Sequence, residues 1–134
     1  MKSIILLVIF ASAAVIVSAK QQYTDRYDTM NLDEVLGNKR LMVAYVKCML
    51  DKGRCTAEGR ELKSHIAEAL QNGCAKCTPA QKGGSRRVIH HLIQNEPEYW
   101  QLLVNKYDPK RVYTHMYEKL FKRSITQLKE ICNR

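Results

Sequence analysis

Hydrophobic residues recur at every third or fourth position through most of the chain, which is the spacing of one face of an α-helix. Several of these stretches begin beside residues that favour helix N-termini. The candidate starts are Asn31, Asn38, Thr56, Thr78, Glu96 and Asp108. No stretch shows sustained period-two alternation with β-branched side chains, so a sheet is not expected. The pattern predicts an all-α fold, a compact bundle of about six short helices.

Glycine and proline mark the ends of the predicted helices. Gly53 and Asn72-Gly73 end the second and third helices. Thr78-Pro79 with Gln81 forms a capping box, and Asp108-Pro109 predicts the start of the last helix in the same way. Short helices joined by tight turns must cross at large angles. Such crossings leave interior space that long coiled-coil packing would fill.

The N-terminus has the pattern of a secretory signal peptide. Lys2 precedes an apolar run of about 14 residues, which ends at Val17-Ser18-Ala19. A membrane span needs roughly 20 residues, so cleavage is favoured over anchoring. The alternative is a buried N-terminal helix. We therefore predict a signal peptide over residues 1–19 and one domain over residues 20–134, secreted and without stable membrane insertion.

The chain is basic, with a formal net charge of +9. Without residues 1–19, which hold one lysine and no acid, 21 basic and 13 acidic residues give +8. The basic residues are scattered and partly interleaved with acids, which is typical of solvated helix faces. Weak attraction to anionic head groups is the alternative, and secretion makes a nucleic-acid partner unexpected.

Five cysteines follow the pattern Cys-x6-Cys-x18-Cys-x2-Cys with one more near the C-terminus. Secretion favours disulfides, and four cysteines allow three pairings between which spacing cannot choose. A zinc site is the rival, but only the second pair has the spacing usual for zinc. Cys132 is the odd cysteine, which predicts a free thiol or an intermolecular bond. The five are Cys48, Cys55, Cys74, Cys77 and Cys132.

Helix geometry restricts one possible pairing. Seven residues along a helix separate Cys48 and Cys55 by about 10.5 Å, whereas bonded cysteines have Cα atoms roughly 4.4–6.8 Å apart. A bond between them requires the helix to end before Cys55, and Gly53 stands at that place. Cys74 and Cys77 can close across a single turn.

Catalytic and metal-binding patterns are not found in the sequence. It contains no Gly-x-Ser-x-Gly, phosphate-binding glycine loop or His-Glu-x-x-His. His90 and His91 are adjacent, so on a helix they point about 100° apart and cannot chelate together. We therefore expect neither enzymatic activity nor a cofactor or metal.

Aromatic residues with polar tips are numerous for a small core. A buried tyrosine hydroxyl needs a hydrogen-bond partner, and a plain core would favour phenylalanine. These rings could line a cavity and orient a ligand's head group, or they could be half-buried surface tyrosines. The candidates are Tyr27, Tyr45, Tyr99, Trp100, Tyr107, Tyr113 and Tyr117.

Several blocks, in order and at matching spacing, resemble the insect chemosensory proteins, the OS-D or pheromone-binding A10 family. The resemblance covers about residues 23–117. Besides the cysteine spacing, the blocks are Tyr23-Thr24-Asp25-Arg26-Tyr27-Asp28, Asn38-Lys39-Arg40-Leu41, Gly73-Cys74-Ala75-Lys76-Cys77, Val88-Ile89-His90-His91-Leu92-Ile93 and Tyr107-Asp108-Pro109. Family members often have tryptophan at the position of Tyr113, and residues 118–134 form a longer amphipathic tail than many members carry.

The resemblance implies a secreted six-helix carrier with two local disulfides, Cys48–Cys55 and Cys74–Cys77. It also implies a channel for hydrophobic ligands such as long-chain fatty acids, alcohols, esters and semiochemicals, with Trp100 at an entrance. The ligand-binding residues it suggests are Tyr27, Leu32, Leu36, Tyr45, Val46, Leu62, Ile66, Leu70, Val88, Leu92, Trp100, Tyr113 and Tyr117.

Two functional hypotheses follow. The first is a carrier of small hydrophobic molecules, with chemosensory transport as one role. The second is a cationic secreted interaction or membrane-active protein with a developmental or immune role, whose active surface is the C-terminal helix. We expect a monomer, with a dimer linked through Cys132 as the alternative.

Overall fold

The computed structural model describes residues 21–134, and the predicted signal peptide lies outside this range. All regular elements within this range are helices and none is a strand, which confirms the all-α fold. The helices are α1 (Leu32–Gly37), α2 (Lys39–Met49), α3 (Ala57–Gln71), α4 (Pro79–Asn95), α5 (Pro97–Tyr107) and α6 (Thr114–Cys132). Residues 22–30, which we name the cover segment, precede α1 and contain only short turns.

Side-chain caps start the first four helices where the sequence predicts them. Asn31, Asn38, Thr56 and Thr78 each accept a hydrogen bond from the backbone N–H three residues ahead, at 3.1–3.2 Å. At α4 the Gln81 side chain accepts from the Thr78 backbone in return, at 3.0 Å. Each cap satisfies an N–H group that would otherwise lack a partner, and this sets the start of the helix.

The last helix begins later than predicted. The Asp108 carboxylate accepts backbone N–H bonds from Val112, Tyr113 and Thr114 at 3.0, 3.0 and 2.7 Å. It also accepts from the Thr114 hydroxyl at 2.6 Å. Because these bonds hold the intervening residues in a turn, α6 starts at Thr114, and the prediction of a start at Asp108-Pro109 was wrong.

The hydrophobic core lies on α2. Met42, Val46 and Met49 are buried against Leu92 of α4 and Leu103 of α5. The close helix pairs are α1–α2, α2–α3, α1–α4, α4–α5 and α2–α5. Helices α3 and α4 are not among them, so space remains between these two neighbours in sequence.

Both predicted disulfides are present. Cys48–Cys55 joins the end of α2 to the segment before α3, and Cys74–Cys77 closes the turn between α3 and α4. The Cα atoms are 5.0 Å apart in each bond. Gly59 lets α3 approach the first bond, because a Cβ there would lie only 3.3 Å from the Cys48 sulfur.

Helix α6 is attached mainly through its first two turns. Thr114 is 2% exposed. Trp100 of α5 donates its Nε1–H to Glu118 at 3.0 Å, and the Phe121 ring packs edge-on against His90 of α4. Beyond Phe121 every residue is exposed except Ile125, which is half-buried. The free thiol of Cys132 lies in this exposed part.

Candidate functional site

A cavity of about 280 Å³ lies between α3 and α4, beneath the cover segment. Its wall is mostly apolar. Helix α3 contributes Leu62, Ile66 and Ala69, and α4 contributes Val88 and Ile89. The volume lies near the lower end of small-molecule pockets, which span roughly 300–1,000 Å³. An alkyl chain bound in this apolar cavity would be removed from contact with water.

Backbone and side-chain hydrogen bonds hold the cover segment in place. The Tyr23 backbone N–H donates to the Lys76 carbonyl at 2.8 Å, beside the second disulfide. The Gln81 side-chain amide donates to the Thr24 carbonyl at 2.8 Å. Gln81 therefore caps α4 and fastens the segment that covers the cavity.

Gly84 makes room where α1 meets α4. A Cβ at this position would lie 2.9 Å from the Leu32 side chain, and both residues line the cavity. On the opposite wall, Leu62 is 49% exposed although it also lines the cavity. The cavity is therefore narrow beside Gly84 and open to solvent beside Leu62.

The wall contains three carboxylates, those of Asp28, Glu58 and Glu61. It also contains the imidazole of His65, and no lysine or arginine of the described residues lines it. The His65 Nε2 lies 2.8 Å from the Glu61 carboxylate. The pKa of Glu58 is lowered by its own backbone N–H and by the Thr56 hydroxyl at the start of α3. Glu58 therefore stays ionised at neutral pH.

Two polar atoms of the wall are buried without a hydrogen-bond partner among residues 21–134. They are the Oδ1 of Asp28 and the hydroxyl of Tyr23. The Tyr23 ring stacks on His65, with ring centroids 4.1 Å apart. Burial raises the pKa of Tyr23, and the nearby Glu68 carboxylate raises it further. A buried polar atom without a hydrogen-bond partner is costly to the fold.

Tyr45 is the contribution of α2 to the wall. Its hydroxyl donates to the sulfur of Met30 at 3.7 Å, and Met30 also lines the cavity. A thioether is a weak acceptor, so this hydroxyl stays available to a stronger one. Helix α2 thus meets the cavity through Tyr45 while its neighbouring turns form the core.

The predicted ligand-binding residues divide between the cavity and other places. Those that line the cavity are Tyr27, Leu32, Tyr45, Leu62, Ile66 and Val88. Val46 of α2 and Leu92 of α4 are buried in the hydrophobic core instead. Leu36 lines a separate shallow groove of about 400 Å³ with polar side chains of α4. A role in ligand binding stays a prediction for every one of these residues.

The remaining predicted residues lie away from the cavity wall. Leu70 is half-buried near the end of α3. Trp100 packs between the core and α6, where its indole N–H binds Glu118. Tyr113 and Tyr117 are half-buried at the start of α6. The Tyr113 backbone N–H donates to the Asp108 carboxylate, which holds this residue in the turn before α6.

Sequence reasoning missed several residues of the wall. Tyr23 and Asp28 stand in the same block as Tyr27, yet the predicted ligand-binding residues include only Tyr27. The aromatic ring of Tyr23, and the position of Asp28 just before the first helix, could have indicated that both residues belong to the wall. For Glu61, His65 and Gly84 we find none, since each depends on which helix packs opposite.

Two further features concern residues 21–134. No helix in this range is both long and apolar enough to cross a membrane. Within the same range, no group of three or more His, Cys, Asp or Glu side chains is placed to hold a metal ion.

The fold and the cavity define a small, disulfide-bonded helical protein with an apolar interior site. The chain belongs to the insect pheromone-binding family A10/OS-D, whose model matches residues 23–115. This confirms the family resemblance. The family is one of binding proteins.

Named relatives extend the match over most of the chain. Allergen Tha p 1 of Thaumetopoea pityocampa is 44% identical over 115 residues, which are 86% of this chain and 91% of the relative. Ejaculatory bulb-specific protein 3 of Drosophila melanogaster is 43% identical over 117 residues, or 87% and 91%. A solved chemosensory protein in complex with bromo-dodecanol is 54% identical, with a TM-score of 0.71 over 73% of this chain and 98% of that one.

Proposed function

We propose that the protein carries small mono-alkyl molecules in the cavity between α3 and α4. The observation that carries this proposal is an apolar cavity of about 280 Å³ beneath a fastened cover segment. Support comes from the related chemosensory protein whose structure is a complex with bromo-dodecanol. Olfactory transport and other carrier roles use the same chemistry.

Burial of the alkyl chain sets the expected affinity. Each buried methylene contributes about 0.8 kcal/mol, so about 12 give roughly 10 kcal/mol before association costs of at least about 4 kcal/mol. The remainder corresponds to tens of micromolar, and one or two head-group contacts at about 1 kcal/mol each lower Kd to the low micromolar range. Because the cavity is small, we place the optimum near the short end of 12–18 carbons.

Secretion is part of the proposal. The N-terminal pattern of residues 1–19 is that of a cleaved signal, and two disulfides fit an oxidising compartment. Finding the protein in a secretory fraction with its N-terminus near Lys20 would support this proposal, and retention of residues 1–19 would contradict it.

Gly84→Leu tests the site directly, because it places a side chain inside the cavity. We expect calorimetry with 1-dodecanol to show at least tenfold weaker binding. Gly83→Leu is the matched control: it is the adjacent residue on α4, outside the wall, and an added Cβ there meets nothing within 4 Å. Equal loss in both variants, or none in Gly84→Leu, would contradict the assignment. So would an alcohol series from 8 to 18 carbons without any gain in affinity with length.

The exposed apolar face of α6 favours a second candidate function, attachment to anionic membranes. Leu128 and Ile131 are 59% and 70% exposed, and Lys122, Arg123 and Lys129 lie on the same helix. Basic amphipathic helices bind anionic bilayers by this combination. Flotation with phosphatidylserine vesicles should show binding that falls with salt and is lost on removal of residues 122–134. Binding unaffected by that removal would exclude α6 as the surface.

A further inference from the structure

The shallow groove beside Leu36 is lined by basic side chains of α4. Its volume is about 400 Å³, and it follows the second half of this helix. Arg86, Arg87, His90 and His91 line it, and no carboxylate of residues 21–134 does. The two guanidinium groups stay protonated at any physiological pH, so the groove is cationic.

The helical repeat brings these side chains to one side of α4. Arg86 and His90 are four residues apart, as are Arg87 and His91, so each pair lies on neighbouring turns of the same side. Val88 and the other residues of α4 that line the cavity lie on a different side, and no residue lines both the groove and the cavity. The groove is therefore a separate site, and the inference drawn from it does not depend on the carrier function.

Both arginines are available to an anion. Arg86 takes part in none of the ion pairs within residues 21–134. Arg87 pairs with Asp33, but the two side chains are 51% and 81% exposed, and ion pairs in such positions contribute little to stability. An anion in the groove can therefore bind both guanidinium groups at the cost of one weak pair.

The two histidines add hydrogen-bond donors to the groove. The Asn95 amide N–H donates to Nδ1 of His91 at 3.2 Å, so the neutral ring carries its proton on Nε2, where it can donate to a ligand. The His90 ring packs edge-on against Phe121, with ring centroids 4.4 Å apart, and the residue is exposed. The contact with Phe121 orients this ring beside the arginines.

We propose that this groove binds phosphate groups, with Arg86 and Arg87 as the principal donors and the two histidines as further donors. The planar guanidinium group matches phosphate geometry and can donate two parallel N–H bonds to it. A phosphate has more acceptor oxygens than a carboxylate, so it can bind two guanidinium groups and an imidazole together. The same chemistry applies to a free phosphate and to the phosphate head group of a lipid.

Titration with inorganic phosphate tests the site, followed by ¹H–¹⁵N NMR at pH 7.0 and constant ionic strength. We expect saturable shifts centred on residues 86–95, and at least fivefold weaker binding of acetate. Arg86→Gln with Arg87→Gln should weaken phosphate binding at least tenfold. Arg60→Gln with Lys82→Gln removes the same charge from exposed residues outside the groove and should change affinity less than twofold. Absence of saturable shifts in the groove, equal binding of acetate, or equal weakening in the two double variants would overturn the proposal.

Asp33→Asn tests the role of Arg87 in the opposite direction. It removes the competing carboxylate from Arg87, so inorganic phosphate should bind at least twofold more tightly. Glu34→Gln makes the same charge change on the next residue of α1, which is exposed and outside the groove, and should have a smaller effect. Circular dichroism establishes that the variants fold. Unchanged affinity in Asp33→Asn, or an equal gain in Glu34→Gln, would overturn the role of Arg87.

Vesicles of phosphatidylcholine with phosphatidic acid distinguish the two sources of phosphate, because phosphatidic acid presents a phosphate monoester at the bilayer surface. If the groove binds the lipid head group, Arg86→Gln with Arg87→Gln should float with these vesicles at least threefold less than Arg60→Gln with Lys82→Gln. Helix α6 is intact in both variants, so the difference reports on the groove. Equal flotation, together with the loss of inorganic phosphate binding in the groove variant, would assign the groove to free phosphate.

Discussion

Helices α3 and α6 are the two amphipathic helices that contrast most in how they are held. They have 15 and 19 residues, and each carries an apolar stripe. A disulfide lies beside each end of α3, and its stripe faces the cavity. Helix α6 is held through its first turns, and its stripe continues into solvent at Leu128 and Ile131. An apolar stripe therefore predicts a helix, while its attachments decide what the stripe faces.

The largest expected effect comes from removing the bond at the start of α3. Cys48→Ala with Cys55→Ala should lower the free energy of unfolding by about 2.5 kcal/mol from loop entropy, and lost packing of the buried Cys48 adds to this. Dodecanol binding should weaken as α3 loosens. Denaturant unfolding and calorimetry measure both effects. Cys132→Ala is the control and should change neither; a double variant as stable as the parent would mean that α3 does not need this attachment.

Asp108→Asn should have the next largest effect, because it weakens the attachment of α6. We expect the thermal midpoint to fall by roughly 5–10 °C, since bonds from three backbone N–H groups and the Thr114 hydroxyl lose a charged acceptor. Asp25→Asn, an exposed carboxylate, should leave the midpoint unchanged. The affinity for dodecanol should stay within about twofold of the wild-type value. This result would show that the attachment of α6 affects stability without affecting the cavity beside α3.

The pH dependence of this effect has a definite sign. Burial alone raises the pKa of Asp108, but the hydrogen bonds from Thr114, Tyr113 and Val112 outweigh it and hold this pKa below its ordinary value. The ionised group therefore stabilises the fold above its unfolded pKa of about 3.9, and this contribution is lost as pH falls through the lower folded pKa. The difference in midpoint between wild type and Asp108→Asn should shrink below about pH 4. A difference that grows there would contradict this assignment.

Glu118→Gln should have a smaller effect with a spectroscopic readout. The substitution weakens the acceptor of the Trp100 indole N–H and removes the charge that pairs with Arg111. We expect a midpoint lower by roughly 2–4 °C and a shift in the emission of Trp100, the single tryptophan of the chain. Dodecanol should change that emission little in wild type. A large ligand-dependent shift would place Trp100 beside the ligand.

Removal of residues 122–134 should have the smallest effect on the fold. Of these residues only Ile125 is half-buried, so we expect the midpoint to change by less than about 2 °C and dodecanol affinity by less than twofold. The intact chain should form some disulfide-linked dimer through Cys132 on a non-reducing gel, and the shortened chain none. A large loss of stability would show that the distal part of α6 packs more tightly than its exposure indicates.

Local signals predicted the helices well and the cavity only in part. The caps at Asn31, Asn38, Thr56 and Thr78 act over three or four residues, so their chemistry is visible in the sequence. The start of α6 was misplaced because Asp108 reaches Thr114, beyond that range. Family resemblance, rather than spacing, chose the disulfide pairing among three possibilities.

The cavity depends on contacts between distant parts of the chain. Gly84 matters because Leu32 packs on it, and His65 lies in the wall because Tyr23 stacks on its ring. Neither relation has a local pattern. Val46 and Val88 illustrate the same point, since both are apolar helix positions, yet Val46 is buried in the core and Val88 lines the cavity.

The sequence by itself determined the helical fold class, most helix boundaries and the cysteines available for bonding, because helix periodicity, caps and thiol chemistry are properties of near neighbours. Tertiary structure decided that α3 and α4 stay apart, that the cover segment closes over them and that Asp28 is left with a buried, unpaired oxygen. These features arise from the packing of apolar helix faces against one another and from hydrogen bonds between backbone groups that are far apart in the sequence. No short stretch of residues encodes such contacts.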